Sequence, residues 1–408
     1  MTASRNHTGS PFPQQAPLLG RQVSRRGFLR GVALGGGLAL GSGVLAACGT
    51  QGAASTGSKT AKDLSASEKV VNFSNWPLYI DVDEKTKKHP TLDQFDAKFG
   101  ISVRYTEDIN DNDEFFGKVR PQLSAGQDTG RDIIVLTDWM AARLIRLGWV
   151  EKLDKSKIPN ASNLQDALAH PDFDKNRDYT LPWQSGLTGI AYNPKATGGK
   201  KITSIGQLLT DSSLKGKVTA LTEMRDTVGL VMLDQGKDPS NFSDADFQAA
   251  IDALQKATSD GQIRQFTGND YAQGLANGDI AACFAWSGDI VQLQADNPDI
   301  QFVIPDAGAM LWSDNMLIPN LAQHKANAEK LMNYYYDPAV QAEVEDYVNY
   351  ICPVKGTKEA LMKLDPDVAN NPLIFPDDAT LAKTHIFKGL SQKEEDKYNK
   401  SFQAVVGA

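Results

Sequence analysis

Trp312 and Asp314 lie two residues apart, just before an apolar run at 316–318 that predicts a short buried strand. In an extended segment, side chains two residues apart point to the same face. An aromatic face beside a carboxylate can hold an organic cation, because the ring attracts the charge and the carboxylate neutralises it. The same pair would also suit a buried Trp next to a strand-capping Asp, so other residues must distinguish these two interpretations.

Further aromatic and hydroxyl side chains follow predicted strands. Trp76 and Tyr79 come after the first strand of the folded region, and Thr137 and Trp139 come after the third. In parallel α/β sheets, ligands bind beyond the carboxyl ends of the strands. The topology therefore predicts that these residues share one rim of a sheet.

The elements that would position these residues alternate along the chain. We predict, in order, a strand at 69–74, a helix at 91–99, a strand at 101–105, a helix at 113–123, a strand at 132–136 and a helix ending at Leu147. The third strand is apolar on both faces, as parallel strands buried between helices are. This alternation predicts an α/β fold with a mainly parallel sheet.

A second α/β unit follows an extended, Gly-punctuated stretch at 181–192. We predict a strand at 218–221 that leads into Glu223 and Asp226, a helix at 243–258 with Ser243 as its N-cap, a strand at 279–285 that ends at Trp286, a strand at 300–304, and helices at 326–336, 338–348 and 358–364. The helix at 326–336 contains Tyr334-Tyr335-Tyr336, which we interpret as core packing.

Three stretches, near 184–189, 312–316 and 350–354, predict chain crossings between two lobes with a cleft between them. The predicted lobe 1 comprises residues 69–184 with 314–350, and the predicted lobe 2 comprises 189–312 with 354–408. Each lobe is predicted to be a mainly parallel sheet flanked by helices.

The first 47 residues predict an export signal. Arg25-Arg26 precede a soft apolar stretch at 31–47, which is typical of a twin-arginine signal peptide and too weakly apolar for a permanent membrane span. Leu45-Ala46-Ala47-Cys48 matches a lipobox, so Cys48 is the predicted lipidation site. Residues 48–67 are predicted to form a flexible tether.

Charge and cysteine content limit the function classes. The chain carries a net charge of −8, and its charged residues before Cys48 are all arginines, so the mature chain is more acidic still. Such a protein is a poor candidate for nucleic-acid binding. Cys283 and Cys352 could pair in an oxidising compartment, or each could be a buried free thiol. The cysteines and histidines show no metal-ligand spacing.

Five motifs in this order carry a family resemblance: Asn75-Trp76-x-x-Tyr79, Asp132-Ile133-Ile134-Val135, Tyr179-Thr180-Leu181-Pro182-Trp183, Trp286-Ser287-Gly288 and Trp312-Ser313-Asp314. Through them the chain resembles, over about residues 69–390, the periplasmic spermidine/putrescine-binding proteins of ABC transporters. The resemblance implies the two-lobed type II periplasmic-binding-protein fold, polyamine capture between the lobes, and delivery to a permease with its ATPase. It further implies a monomer without a cofactor. The lipobox at Cys48 predicts in addition that the exported chain is attached by lipid to the outer face of the cytoplasmic membrane.

The ligand-binding residues that the resemblance implies are aromatic, hydroxyl and acidic: Trp76, Tyr79, Thr137, Trp139, Glu223, Asp226, Trp286, Trp312, Asp314 and Tyr350. Trp183 is interpreted as hinge packing. Two positions depart from the family pattern, because Leu78 stands where an acid is common and Phe387 where a polar contact is common. Asp81 is the residue that could replace the missing acid.

Other functions of the same fold remain open at this point. A cationic amino acid or peptide would need a partner for its carboxylate, and Arg225 is the obvious basic residue at the predicted rim. Aromatic clefts also stack sugars, and proteins of this broad fold carry ferric iron on paired tyrosines. The sequence contains no nucleophile elbow, HExxH motif, P-loop or strand-linked GxGxxG, which disfavours an enzyme.

Overall fold

The computed structural model describes residues 61–83 and 85–407. Its strands are β1 (Val70–Asn75), β2 (Ser102–Glu107), β3 (Ile133–Thr137), β4 (Leu181–Tyr192), β5 (Val218–Leu221), β6 (Ile263–Thr267), β7 (Ala282–Trp286), β8 (Gln301–Val303), β9 (Ala309–Leu317) and β10 (Thr384–His385). Its helices are α1 (Pro90–Phe99), α2 (Asn112–Ser124), α3 (Asp138–Leu147), α4 (Ile205–Thr210), α5 (Met224–Asp234), α6 (Asp244–Ser259), α7 (Tyr271–Asn277), α8 (Ser287–Asp296), α9 (Lys325–Tyr335), α10 (Pro338–Val348), α11 (Thr357–Leu361), α12 (Pro366–Ala369), α13 (Asp378–Leu381) and α14 (Gln392–Val406). The predicted signal peptide and Cys48 lie outside the described residues.

Two groups of parallel strands flank a central antiparallel pair. The strand order is β2-β1-β3-β9-β4-β7-β5-β6, with β10 on β9 and β8 on β4. In one lobe β1 is parallel to β2 and β3, and in the other β5 is parallel to β6 and β7. The long strands β4 and β9 run antiparallel to each other and join the two groups into one hydrogen-bonded sheet.

Strand direction brings the two carboxyl edges together. Because β9 is antiparallel to both β3 and β4, and β4 is antiparallel to β7, strands β3 and β7 run in opposite directions. Strand β3 pairs with residues 314–317 of β9 and β7 pairs with residues 188–192 of β4, so the two parallel groups lie at opposite ends of the β4–β9 pair and their carboxyl ends point toward each other. Ligands of α/β sheets bind at such ends, so the fold itself places a candidate site between the lobes.

Each lobe has its own hydrophobic core. In lobe 1, alternate residues of β3 face opposite sides: Ile133 and Val135 contact one cluster, and Ile134 and Leu136 contact another. In lobe 2, β5, β7 and the flanking helices share one large cluster. The expectation of a third strand buried on both faces is confirmed.

Most predicted elements are present with small shifts at their ends. The helix predicted at 243–258 is α6, and Ser243 caps it in a capping box with Asp246. The apolar run 316–318 mostly belongs to a longer strand, β9, since pairing with β3, β4 and β10 extends it back to Ala309. Strand β6 was not predicted, because its pattern of buried and exposed residues gives a weak strand signal.

One predicted boundary, the start of the C-terminal segment of lobe 2 at residue 354, differs from the observed packing. Residues 354–376 lie against lobe 1: Leu361 and Ala369 pack on Ala342 of α10, and Val354 pairs with Leu164. Helix α14 instead packs against α6 of lobe 2. After the predicted crossing near Ile351, the chain continues to pack on lobe 1. We therefore propose that residues 354–376 belong to lobe 1.

The end of the predicted tether is attached to the fold. The Leu64 amide donates to the Gln323 carbonyl at 2.7 Å, and the Asn327 amide donates to Ser65 Oγ at 3.1 Å. Within the described residues, no helix has the length and apolar character needed to cross a membrane.

Candidate ligand-binding cleft

A cavity of about 1390 Å³ lies where the two carboxyl edges face each other. Trp76 and Thr137 line it at the ends of β1 and β3, and Trp286 lines it at the end of β7. All ten residues predicted to bind ligand line this cavity: Trp76, Tyr79, Thr137, Trp139, Glu223, Asp226, Trp286, Trp312, Asp314 and Tyr350. The structure thus brings together residues that are up to 274 positions apart in the chain, from Trp76 to Tyr350.

Asp314 is the buried carboxylate of the lobe 1 side. It pairs with Thr137 in the β3–β9 register, and Thr137 Oγ1 donates to its Oδ1 at 2.7 Å. The Tyr79 hydroxyl donates to Oδ2 at 2.8 Å. Burial of Asp314, which is 5% exposed, raises the pKa of its carboxyl group to about 7, and nearby Asp138 and Asp226 add to this shift. Each oxygen keeps an acceptor site for a ligand, since a carboxylate can accept about four hydrogen bonds.

The aromatic rings around Asp314 are held in place. The Tyr350 ring lies 5.4 Å from Tyr79 and 5.5 Å from Trp312, measured between centroids. Trp312 Nε1 donates to Thr188 Oγ1 at 3.0 Å, and Trp76 Nε1 donates to the Val135 carbonyl at 3.0 Å. Because their polar atoms are already satisfied, these rings present mainly apolar surface to the cavity.

Lobe 2 contributes two further carboxylates, Asp226, which is buried, and Asp289, which is partly buried. Trp286 Nε1 donates to Asp226 Oδ2 at 2.7 Å, and burial raises the pKa of Asp226 to about 6. Asp289, in the first turn of α8, accepts from the hydroxyls of Tyr271 at 2.7 Å and Tyr350 at 2.8 Å. Burial also raises the pKa of Asp289. The sequence analysis missed Asp289, although its place three residues after Trp286 at a strand end was a usable signal.

Trp139 and Glu223 line the cavity, but a protein cation contacts both. The Arg225 guanidinium lies 3.9 Å from the centroid of the Trp139 ring, and its Nη1 lies 3.9 Å from Glu223 Oε1. Glu223 also caps α5 by accepting from the Arg225 amide at 3.3 Å. Burial, the largest influence, raises the pKa of Glu223 to about 8.

Comparison with known protein families gives a match for this chain. The family described as bacterial extracellular solute-binding protein matches residues 91–376, which is more than half of the chain. The chain belongs to this family of solute-binding proteins. It is an extracytoplasmic binding protein and not an enzyme.

Several relatives of this solute-binding protein are named for polyamines. The putrescine-binding periplasmic protein PotF of Escherichia coli is 31% identical over 343 residues, covering 80% of this chain and 88% of PotF. The spermidine/putrescine-binding periplasmic protein of the same species is 28% identical over 310 residues, covering 76% of this chain and 84% of that protein. A solved structure from Listeria monocytogenes, assigned to a spermidine/putrescine ABC transporter, is 25% identical with a TM-score of 0.73, covering 83% of this chain and 99% of that one.

The two departures from the family pattern are both at the cavity wall. Leu78 is 55% exposed and has a φ of 57°, a backbone conformation that is strained for a branched side chain. Phe387 lies 5.1 Å from the Phe242 ring. Asp81 does not replace the missing acid, because it is not among the residues that line the cavity and it accepts from the Thr91 amide at 2.8 Å.

The residues of the solute-binding protein for which we predicted a packing role lie in the core. Trp183 is buried between Phe73 and Tyr335, in accord with hinge packing. Tyr334, Tyr335 and Tyr336 are buried in the lobe 1 core. Cys283 and Cys352 are both buried free thiols, so the disulfide alternative is wrong. Within residues 61–83 and 85–407, no group of three His, Cys, Asp or Glu side chains has the arrangement of a metal site.

Proposed function

We propose that this protein captures a polyamine, spermidine or putrescine, between its lobes and delivers it to an ABC importer. The observation that carries the proposal is Asp314, a buried carboxylate among the rings of Tyr79, Trp312 and Tyr350. Relatives named for spermidine and putrescine binding, of which this chain covers more than four fifths, support it.

The cleft suits the two chemical parts of a polyamine. Its methylenes can lie between aromatic rings, and each cation–π contact adds about 0.5–2 kcal/mol. Its ammonium groups can donate to the carboxylates of Asp314, Asp226 and Asp289. The described residues that line the cavity include nine carboxylates but only three Lys or Arg side chains, so the cleft attracts cations.

The same geometry disfavours an amino acid as the ligand. An amino acid would need a cationic partner for its carboxylate, and Arg225 was the candidate. Arg225 Nη2 already donates to Glu395 at 2.9 Å, and its guanidinium covers the Trp139 ring. A new carboxylate would therefore have to displace an existing buried ion pair.

Thermal unfolding of the chain from residue 48, with Cys48→Ser, tests the proposal. We would record melts with putrescine, spermidine, spermine, arginine, maltose or Fe(III). A polyamine at 100 times its Kd adds about 2.7 kcal/mol to stability, a shift of several degrees. The shift should shrink with added salt, because the interaction is ionic. A shift with maltose, arginine or Fe(III) and none with a polyamine would overturn the proposal.

We further propose that the chain is exported by the twin-arginine route and anchored by lipid at Cys48 to the outer face of the cytoplasmic membrane. The support is the sequence Arg25-Arg26 followed by the lipobox ending at Cys48. In the native host, the wild type should fractionate with the membrane and the Cys48→Ser variant should be released. Replacement of both arginines by Lys should leave the precursor inside the cell.

The partners in this proposal are a permease and its ATPase. The proposal also includes that the protein binds its ligand as a monomer. Both lobes contribute to one cleft, so a single copy completes the site. Light scattering during chromatography, with and without polyamine, should give the mass of one chain in both cases.

A further inference from the structure

Residues 61–68, which we call the docked segment, lie against the start of α9 in lobe 1. Asp63 Oδ2 accepts from the Ala326 amide at 3.2 Å, and Ser65 Oγ accepts from the Asn327 amide at 3.1 Å. Both amides belong to the first turn of α9, so two side chains of the docked segment supply its N-terminal caps. The fold thus contains a docking site for the end of the predicted tether.

His324, the residue before α9, connects the docked segment to the sheet. Its Nδ1 lies 3.0 Å from Asp132 Oδ2, and its Nε2 lies 3.1 Å from Glu68 Oε2. Asp132, at the start of β3, is 1% exposed and also accepts from the Asn72 amide at 2.8 Å. The two ring nitrogens therefore face two carboxylates, one fixed in the sheet and one in the docked segment.

This arrangement requires a proton on each ring nitrogen. A carboxylate only accepts hydrogen bonds, so both nitrogens of His324 must donate. A neutral ring has one proton, and the more deeply buried Asp132 would retain it. The unprotonated Nε2 would then present a lone pair to the Glu68 carboxylate. Because the Glu68 side chain is 50% exposed, it can turn into water and weaken the hold on the docked segment.

The charges around His324 favour its protonated form. Asp63 and Lys325 are further charged side chains at this end of α9, and the helix end itself carries partial positive charge. Burial lowers the pKa of His324, but hydrogen bonds and charge from Glu68 and Asp132 raise it above its ordinary value. The contact is therefore complete below about pH 6.5, and it is lost as pH rises through the raised pKa.

We propose that His324 is a proton-dependent switch that holds the docked segment on lobe 1 when it is charged and loosens the segment when it is neutral. This inference rests on the proposed lipid anchor, because the docked segment joins Cys48 to the fold. Full loosening of these eight residues would add roughly 26–29 Å to the extended chain between the lipid and lobe 1. Deprotonation thus lengthens the reach of the anchored protein.

Spin-label mobility at Lys62→Cys, in the chain from residue 48 with Cys48→Ser, tests the inference. Lys62 is exposed, and Cys283 and Cys352 are buried, so the label reacts at one position. With His324 present, the mobile fraction of the spectrum should be at least threefold larger at pH 8.5 than at pH 5.5. The measurement needs no ligand, so it is independent of the proposed polyamine function.

Three substitutions separate the proton from the fold. His324→Gln can still donate to Asp132 but carries no charge, so its mobile fraction should be high at both pH values. Glu68→Gln replaces the carboxylate by an amide that can donate to neutral Nε2, so the segment should stay docked at pH 8.5. His385→Gln makes the same change in β10, which pairs with the end of β9 farther from His324, and it should keep the wild-type response.

The possible results differ in what they overturn. Melting of each unlabelled variant shows whether it folds, and if His324→Gln does not, the wild-type pH series and Glu68→Gln still decide. An equal mobile fraction at pH 5.5 and 8.5 in the wild type would overturn the inference, as would an unchanged pH response in folded His324→Gln. Retention of Cys48→Ser in the membrane fraction would instead overturn the proposed anchor.

Discussion

At the scale of single residues, Asp314 presents a buried carboxyl group that can bind a cationic ligand. Two neutral donors, Thr137 and Tyr79, orient it without neutralising it. A buried carboxylate without a cationic partner is costly, so the site gains when a ligand brings the missing positive charge. The same reasoning applies to Asp226, whose donor is Trp286.

Asp314→Asn should lower polyamine affinity at least about 30-fold. Loss of one partner from a buried, hydrogen-bonded charge pair costs about 2–5 kcal/mol. Calorimetric titration measures the effect. Asp252→Asn, an exposed position on α6, is the matched control and should bind like the wild type. A similar affinity in both variants would show that Asp314 does not hold an ammonium group.

Polyamine affinity should rise with pH between 5.5 and 8. In the unliganded protein the pKa values of Asp314 and Asp226 are raised to about 7 and about 6. The ligand needs both groups ionised, and alkylammonium groups remain charged across this range because their pKa is about 10. Affinity therefore falls as pH drops through 7 and then 6, by about tenfold or more overall.

Titrations in buffers of different ionisation enthalpy check this pH dependence, since binding near pH 6.5 should release protons. The unliganded protein should show the opposite trend in stability. These two groups hold protons more tightly in the folded chain than in the unfolded chain, so their contribution to stability falls as pH rises from about 4 to 7. An affinity that is constant or highest at pH 5.5 would contradict the assignment.

At the scale of elements, strands β4 and β9 shape the aromatic wall. Gly186 of β4 pairs with Trp312 of β9, and a Cβ at Gly186 would overlap the Trp312 ring. On the other side of the cleft, a Cβ at Gly288 of α8 would overlap the Tyr350 ring. The absence of a side chain at these two glycines lets the rings lie close to the backbone.

Gly186→Ala should displace the Trp312 ring and weaken ligand binding. Overpacking of a buried site costs about 1–3 kcal/mol, so the melting temperature should fall as well. Tryptophan fluorescence and calorimetric titration measure the two effects. Gly117→Ala in α2 is the control, because nothing lies within 4 Å of its Cβ and Ala is favoured in helices. Wild-type binding by Gly186→Ala would show that the Trp312 position is not required.

At the scale of the whole molecule, ionic contacts link the lobes beside the cleft. Arg143 and Arg146 of lobe 1 bind Glu395 of lobe 2, and Arg143 also lies 2.7 Å from Asp113. Tyr350, next to the last chain crossing, donates to Asp289 of lobe 2. These contacts stabilise the arrangement in which the two lobes enclose the cavity.

Glu395→Gln should loosen the contact between the lobes. Without the carboxylate, Arg143 and Arg225 keep buried positive charge without this partner, which costs about 3–5 kcal/mol. The melting temperature should fall, and X-ray scattering should give a larger radius of gyration for the unliganded variant. Asp396→Asn changes the exposed neighbouring residue and should have neither effect. An unchanged radius in Glu395→Gln would show that the cluster does not keep the lobes together.

Much of the fold and the cleft could be predicted from local patterns. Alternating strands and helices indicated an α/β fold, and the capping box at Ser243 marked the start of α6. Residues that follow strands, such as Trp76, Thr137 and Trp286, were placed at the site because parallel strands share their carboxyl edge. The fold class needed only such short-range periodicity and the rule that alternating strands and helices form a parallel sheet.

The tertiary structure alone decided which side chains meet. Tyr79 and Asp314 are 235 residues apart, and their hydrogen bond depends on how β9 inserts beside β3. Arg225 covers Trp139 because α3 and α5 approach from different lobes. The sequence by itself determined the elements and the chemical types at their ends. The register of the sheet and the packing of the lobes determined the partners, because both depend on contacts between distant parts of the chain that no local pattern encodes.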